Sequence, residues 1–361
     1  MDAPLLDEFE YRDWAADARG TVELALVGLG WWTREYVIPA IERTDACVAT
    51  TVVSGSSEKR ERAMAEHETI HNGVDYEDFQ RGDVADAYDA VYICTPNGTH
   101  LEHVQAAASQ GKDVLVEKPM EATVERAQEL VAAADDAEIT LMVAYRMHTE
   151  PLVRYARQLI RDGIIGDPVL VHGENSQVLM DVIEDPDQWR LDPDLSGYGT
   201  SVMDLGIYPL NTTRFLLDAD PVAVQSMMGS DRAAFEDVPD QVATFAVEYD
   251  GGTRAAFSAS QHASSQSRLE IVGDRGRIAL EPAFHMETDL RVETEGVTVD
   301  VDLPQVDQMA EEFAYFADAI LDGGPVYPDG QHGLLDMHAL KAIYDAAERG
   351  ARVSVPTVDS G

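Results

Sequence analysis

Apolar residues in the first 150 positions fall in short continuous runs, each followed by a stretch with helical spacing. TVELALVGLG (21–30), ACVATTVVSGS (46–56), AVYICTPN (90–97), DVLVEKP (113–119) and ITLMVAYR (139–146) read as buried strands. REYVIPAIERT (34–44), ERAMAEH (61–67), THLEHVQAAASQG (99–111) and ATVERAQELVAAADDA (122–137) read as helices between them. In the first of these, Tyr36, Ile38 and Ile41 form the apolar spacing, and Pro39 is expected near the first turn. Strands alternating with helices of this length predict βαβ units and a parallel sheet over residues 21–150. Residues 1–20 are polar apart from a few residues such as Trp14 and read as an N-terminal arm.

The pattern changes near residue 150. A helix, PLVRYARQLIRDG (151–163), leads to a strand over 168–179, a Pro- and Gly-containing loop over 186–200 and a helix over about 202–217. Strands then follow at 221–229, 241–249, 253–261, 267–273, 276–281, 290–295 and 297–303. DGG (250–252) and DRG (274–276) are hairpin turn signals. Helices at 305–321 and 333–350 close the chain. Residues 151–361 are therefore expected to form an α+β unit with a large, mostly antiparallel open sheet.

Composition narrows the setting. The chain of 361 residues carries 67 acidic and 26 basic residues, a net charge of −41, and only four of the cations are lysines: Lys59, Lys112, Lys118 and Lys341. Such a balance argues against nucleic acid or an anionic membrane as partner. The acid is spread along the chain, which suits salt adaptation: the Debye length falls to about 3 Å at 1 M and screens the self-repulsion. Cys47 and Cys94 belong to no CxxC pair and read as small buried residues of a reducing compartment. With no apolar leader and no run of about 18 apolar residues, a soluble cytoplasmic protein is expected.

The chemistry collects at strand ends. Gly28-Leu29-Gly30 follows one strand and precedes a helix, the context of a dinucleotide fingerprint. Gly28 allows the turn, Gly30 lets the backbone approach a pyrophosphate, and Trp31 and Trp32 flank it. Thr33 takes the third fingerprint position, which predicts a looser helix–strand contact. The second strand ends in Ser54 with no acid to hold a ribose 2′-hydroxyl. Gly55, Ser56, Lys59 and Arg60 follow, and this loop reads either as a 2′-phosphate site, favouring NADP, or as a solvated loop. Thr95, Pro96 and Asn97 form a turn at another strand end. His100 then opens a helix, as a cofactor neighbour or as a hydrogen-bonded structural residue. Glu117 and Lys118 end the next strand; Lys118 emerges from a core run beside the same crevice, as a surface partner of Glu117 or as a cation acting on substrate. Asp204 and Tyr208 are four apart in GYGTSVMDLGIYPLNTTRF (197–215), one helical turn, so both project from one face; alternatively Tyr208 is an amphipathic core residue. No HExxH or Cys cluster suggests a metal.

These motifs, in this order and spacing over residues 22 to about 353, resemble the Gfo/Idh/MocA family of sugar oxidoreductases. The likeness rests on the GxG turn, VVSGSSEK, YICTPNGTHLEH, GKDVLVEKP, VAYRMHTEP, SVMDLGIYPLNTTRFL and GLLDMHALKAIYDAA. It implies a Rossmann domain followed by an open-sheet domain that lines the active site and often mediates homo-oligomers. It implies that Lys118 is the catalytic lysine, that Asp204 and Tyr208 are its acid and Tyr-or-His partners, and that Arg146 meets the nicotinamide end. Within the family the chain is most similar to NADP-dependent enzymes of halophilic archaea that oxidise D-xylose at C1 to the lactone. Tyr208 is then the expected base, helped by the charge on Lys118, with Lys118 itself as the alternative acceptor and Asp204 orienting it. Other polyol, inositol or dihydrodiol oxidations, an NAD-retaining glycosidase, or a non-catalytic nucleotide-binding regulator stand as rival readings. Thr33 and the bulky Trp31-Trp32 pair depart from the family pattern.

Overall fold

The computed structural model describes residues 9–14 and 20–357. Much of the expected arm, residues 1–8 and 15–19, lies outside the described residues; Trp14 is buried and meets Tyr315 edge-on at 5.4 Å.

The first sheet is built from β1 (Val22–Val27), β2 (Cys47–Val53), β3 (Asn72–Val74), β4 (Ala90–Ile93), β5 (Asp113–Glu117) and β6 (Leu141–Ala144). Its helices are α1 (Ile38–Ile41), α2 (Ser57–Glu66), α3 (Tyr76–Arg81), α4 (His100–Ser109) and α5 (Val124–Asp136). Ser56, Asp75 and Thr123 cap α2, α3 and α5, each accepting a backbone N–H three residues on. The strand order is β3-β2-β1-β4-β5-β6 with every pairing parallel, and the order reverses between β1 and β4. Register aligns the strand ends: Val27 pairs with Val53 and Ile93, Ile93 with Val116, and Glu117 with Ala144. Hence the glycine turn, the Ser54 loop, Thr95, Lys118 and Arg146 follow one edge of the sheet, where ligands of open α/β sheets bind.

Helix α1 departs from the expectation. Helical structure begins at Trp31, so Pro39 lies well inside it. A π-turn over Thr33–Val37 precedes α1, which accommodates a residue that cannot donate to the carbonyl four positions back.

The second unit begins with α6 (Pro151–Arg161) and β7 (Pro168–Val178), followed by short turns α7 (Leu179–Val182) and α8 (Pro193–Ser196) and by α9 (Ile207–Leu217). Then come β8 (Pro221–Gly229), β9 (Val242–Tyr249), β10 (Arg254–Ser260), β11 (His262–Gly273), β12 (Gly276–Leu280), β13 (Leu290–Thr294) and β14 (Val297–Val301). Helices α10 (Gln308–Asp322) and α11 (Gly330–Arg349) precede a last short strand, β15 (Val353–Ser354). The sheet order is β14-β13-β12-β11-β7-β10-β9-β8-β15, antiparallel except for β7 with β10. Residues 262–266 extend β11, with a register shift that absorbs them, and are not a break between two strands.

Packing crosses the expected boundary at 150. Met309, Phe313, Phe316 and Ala317 of α10 enter the core formed by Leu24, Leu26, Tyr92, Leu115 and Met142 of the first sheet. A fully buried ring such as Phe313 contributes about 1.5–3 kcal/mol, so this helix ties the C-terminal part of the chain to the cofactor-type sheet. The remaining core joins α5, α6, α9 and α11 to the inner face of the second sheet.

Candidate active site

A cleft of about 690 Å³ opens between the edge of the first sheet and the inner face of the second, within the size range of small-molecule sites. Lys118 reaches it because Val114, Leu115 and Val116 are fully buried between β4 and β6, and the strand ends as it leaves the core. Its Nζ donates to Asp204 Oδ1 at 3.2 Å and to the Asp204 carbonyl at 3.1 Å. The same Nζ stands 4.6 Å from the centroid of the Tyr208 ring.

Local sequence explains why that carbonyl is available. Asp204 lies in a π-turn, Val202–Gly206, that leads into α9. In π register the residue five positions on would donate to Asp204 O, but that residue is Pro209, which has no N–H. Lys118 fills the gap. The start of this helical segment is held by buried Asp240, whose Oδ1 accepts Thr200 N at 2.7 Å and whose Oδ2 accepts Val202 N at 2.7 Å and Tyr344 Oη–H at 2.6 Å.

Asp204 has further partners. Its Oδ2 accepts Arg190 Nε at 3.1 Å and Gln261 Nε2 at 2.9 Å. Gln177 Nε2 donates to Gln261 Oε1 at 2.9 Å, and Asn175 Nδ2 donates to Leu205 O at 3.3 Å. Burial by itself would raise the Asp204 pKa, but Arg190, Lys118 and Gln261 outweigh it and hold the carboxyl well below the usual range. Burial would likewise lower Lys118; facing Tyr208, Asp204 and Glu117 raises it instead. Lys118 is therefore held as an ammonium. Glu117 accepts Tyr92 Oη–H at 2.7 Å and the Lys118 N–H at 3.1 Å.

The glycine turn fits a dinucleotide. Gly28 has φ +101° and passes so close to β4 that a Cβ would lie 2.2 Å from Cys94 O. A Cβ on Gly30 would meet no protein atom within 4 Å, so the space beyond it is open, as close approach of a pyrophosphate to backbone N–H groups requires. The looser contact expected at Thr33 is not found: its side chain is fully buried and its Oγ1 donates to Gly28 O at 2.7 Å. The hydroxyl secures the turn that a smaller residue would leave to packing alone.

Of the residues expected at the site, Trp31, Trp32, Thr95, Asn97, Glu117, Lys118, Arg146, Asp204 and Tyr208 line the cleft. The Leu29 side chain turns into the core. Ser54, Gly55, Ser56, Lys59 and Arg60 sit at the β2 end outside the cleft; Ser56 caps α2, and the Arg60 guanidinium donates to Ser54 O. Pro96 also lies outside the cleft. His100 is fully buried and outside the cleft lining, with Nδ1 3.2 Å from Met120 O and Nε2 2.9 Å from Thr95 O, the contacts of the hydrogen-bonded structural alternative. Arg146 is buried and donates to His285 O at 3.1 Å, to Phe284 O at 2.5 Å and to Gln308 Oε1. It thus acts as a brace between the two sheets that also presents its guanidinium 5.3 Å from the Tyr208 ring centroid.

Sequence reading missed Arg190, Gln261, Gln177, Asn175 and Glu312, all of which line the cleft or bond to its acid. Arg190 lies in a polar loop and Gln261 at a strand end, where such residues are common and carry no local signal. The proline five residues after Asp204 is the one signal that pointed to an opened helix there.

The profile "Oxidoreductase family, NAD-binding Rossmann fold" matches residues 22–145, and the profile "GFO/IDH/MocA C-terminal domain" matches residues 153–279. The chain is similar to D-xylose 1-dehydrogenase [NADP(+)] of Haloarcula marismortui, 47% identical over 349 residues that cover 96% of this chain and 97% of that protein. It is also similar to D-xylose 1-dehydrogenase (NADP(+)) 2 of Haloferax volcanii, 30% identical with 88% of this chain and 95% of that protein covered. Among solved structures, the aldose–aldose oxidoreductase of Caulobacter crescentus complexed with glycerol superposes with a TM-score of 0.87 at 29% identity, covering 92% of this chain and 99% of that one. With both halves of the chain matched and the fold shared along nearly its whole length, the protein belongs to the Gfo/Idh/MocA family of oxidoreductases.

Proposed function

We propose that the protein oxidises D-xylose, or a closely related aldose, at C1 to the sugar lactone with NADP+. The cluster of Lys118, Asp204 and Tyr208 at the β5 end, facing one cleft, carries this reading. Likeness over nearly the full chain to two NADP-dependent xylose dehydrogenases supports the substrate and the cofactor. The β2 end also supports NADP: no acid stands at Ser54, and Ser56, Lys59 and Arg60 are grouped beside it.

Gly28, Gly30, Trp31, Thr95 and Arg146 would hold the dinucleotide along the sheet edge. When bound, its nicotinamide ring supplies the acceptor for the hydride that leaves C1. Tyr208 takes the proton of the C1 hydroxyl. Lys118, held charged by Asp204 and Glu117, balances the phenolate charge of Tyr208 before the proton moves and the charge on the sugar oxygen as it leaves. Asp204 fixes Lys118 and is itself held by Gln261, while Arg190, Gln177 and Asn175 offer the polar wall that a polyhydroxylated ring needs. The outer face of the second sheet, with Met227 75% and Val242 47% exposed, supports a homo-oligomer, which light scattering in molar KCl tests.

The decisive experiment is a panel of aldoses, inositol and dihydrodiols with NADP+ and NAD+ in molar KCl, followed by nicotinamide absorbance. Xylose with NADP+ should give the highest kcat/KM, and Tyr208→Phe should lower kcat 10²–10⁴-fold. Turnover only on inositols or dihydrodiols would refute the substrate, and near-normal turnover of Tyr208→Phe would refute the base.

A further inference from the structure

One titratable group on the cleft wall has no part in the steps above. Glu312 of α10 is 2% exposed, lines the cleft beside Met309, Glu117, Ala144 and Arg146, and leaves Oε1 without a hydrogen-bond partner. An unpartnered buried carboxyl is costly unless something else completes it. The wall that carries it is held in place. Arg12 pairs with Glu311 through its Nε at 2.7 Å, Arg43 pairs with Asp307 at 2.5 Å, and Gln308 accepts from Arg146. Burial together with the neighbouring Glu117 pushes the Glu312 carboxyl well above its usual range, against the opposing effect of Arg146, which favours its protonated form.

Position and chemistry select the partner. A dinucleotide that begins at the glycine turn of β1 and crosses the switch point ends at β4, β5 and β6. Ala144 and Arg146 lie at the β6 end, and Glu312 shares that part of the lining. A neutral carboxyl offers one O–H donor and one carbonyl acceptor side by side, the complement of a primary carboxamide.

We propose that Glu312 is a positioning residue that pairs with the carboxamide of the nicotinamide ring. The inference rests on the NADP reading and extends it to one atom group of the cofactor. It predicts which substitutions matter: Glu312→Gln keeps a donor and an acceptor in the same places, whereas Glu312→Leu and Glu312→Ala keep neither.

The test is a binding titration on the full chain in molar KCl, read by tryptophan fluorescence, since Trp31 and Trp32 line the cleft. NADP+ is compared with 2′-phospho-ADP-ribose, which lacks the nicotinamide. Glu312→Gln should bind NADP+ within about threefold of the wild type, and Glu312→Leu and Glu312→Ala about tenfold more weakly. All four proteins should bind 2′-phospho-ADP-ribose equally. Unchanged NADP+ affinity in whichever apolar variant folds, or equal loss of both ligands, would overturn the proposal, as would a Gln variant as weak as the apolar ones. A wild type that binds neither ligand would overturn the cofactor reading itself, and this proposal with it.

Discussion

Replacing Lys118 by Met separates the electrostatic role of the ammonium from its structural one. The ammonium lies 3.2 Å from Asp204 Oδ1 and 4.6 Å from the Tyr208 ring centroid. Its removal still leaves Asp204 bonded to Arg190 at 3.1 Å and Gln261 at 2.9 Å. The partly buried carboxylate keeps a counter-charge, and Met fills the space, so the loss of stability should stay below about 2 kcal/mol. The transition state loses its nearby positive charge, and kcat should fall 10²–10⁴-fold, about 3–6 kcal/mol of barrier at ~1.4 kcal/mol per tenfold. Asp204→Asn should cost more stability than Lys118→Met. It leaves Lys118 and Arg190 facing each other with no carboxylate between them; breaking a fully buried pair costs about 3–5 kcal/mol, an upper bound for this partly exposed one. The assay pairs steady-state xylose oxidation and NADP+ titration with thermal melts in the same molar KCl buffer. Turnover of Lys118→Met within tenfold of the wild type, or a loss of NADP+ affinity equal to the loss of kcat, would refute the reasoning. So would an Asp204→Asn protein that melts no lower than Lys118→Met.

Gly30→Val should melt close to the wild type and bind NADP+ at least tenfold more weakly, because a Cβ there meets nothing within 4 Å and the branched side chain enters the pyrophosphate space; Gly28→Val should instead unfold the turn, given its φ of +101° and a Cβ 2.2 Å from Cys94 O. Burial raises the Asp240 pKa to about 6 despite hydrogen bonds from Tyr344, Val202 and Thr200. A raised carboxyl contributes stability below its unfolded pKa of ~3.9 and loses it as pH rises through the folded value, so the wild type should lose about 2 kcal/mol relative to Asp240→Asn between pH 4 and 7; denaturant melts at those pH values that show a constant gap would contradict this. With a net charge of −41, Tm should rise steeply between low and molar KCl as repulsion is screened, and a melting temperature indifferent to salt would remove that explanation of the composition.

Much of the site was legible because its chemistry sits where local pattern changes. Lys118 stands out as a lysine at the end of an almost wholly apolar run, Val114–Val116, in a chain with four lysines. Asp204 and Tyr208 share a helical turn, and Gly28 and Gly30 follow a strand and precede a helix. For His100 local pattern left two readings open, because a histidine opening a helix after a strand end looks the same whether its ring faces solvent or core; only the tertiary fold brings Met120 O and Thr95 O to its two nitrogens. Thr33 misled for a related reason: its hydroxyl finds Gly28 O across the turn, which side-chain size alone does not foretell.

The division between the two sources of information follows sequence separation. By itself the chain determined the alternation of strands and helices, the parallel sheet, the antiparallel second half and the residues at each strand end, since these depend on periodicity and turn chemistry over a few neighbours. Tertiary structure alone decided that Arg190 and Gln261 hold the acid named from sequence, that α10 returns to the first sheet, and that Glu312 thereby reaches the cleft. Those contacts join segments 50 or more residues apart, or loops of ordinary polarity. Their partners are set by sheet register and by which apolar face a late helix buries.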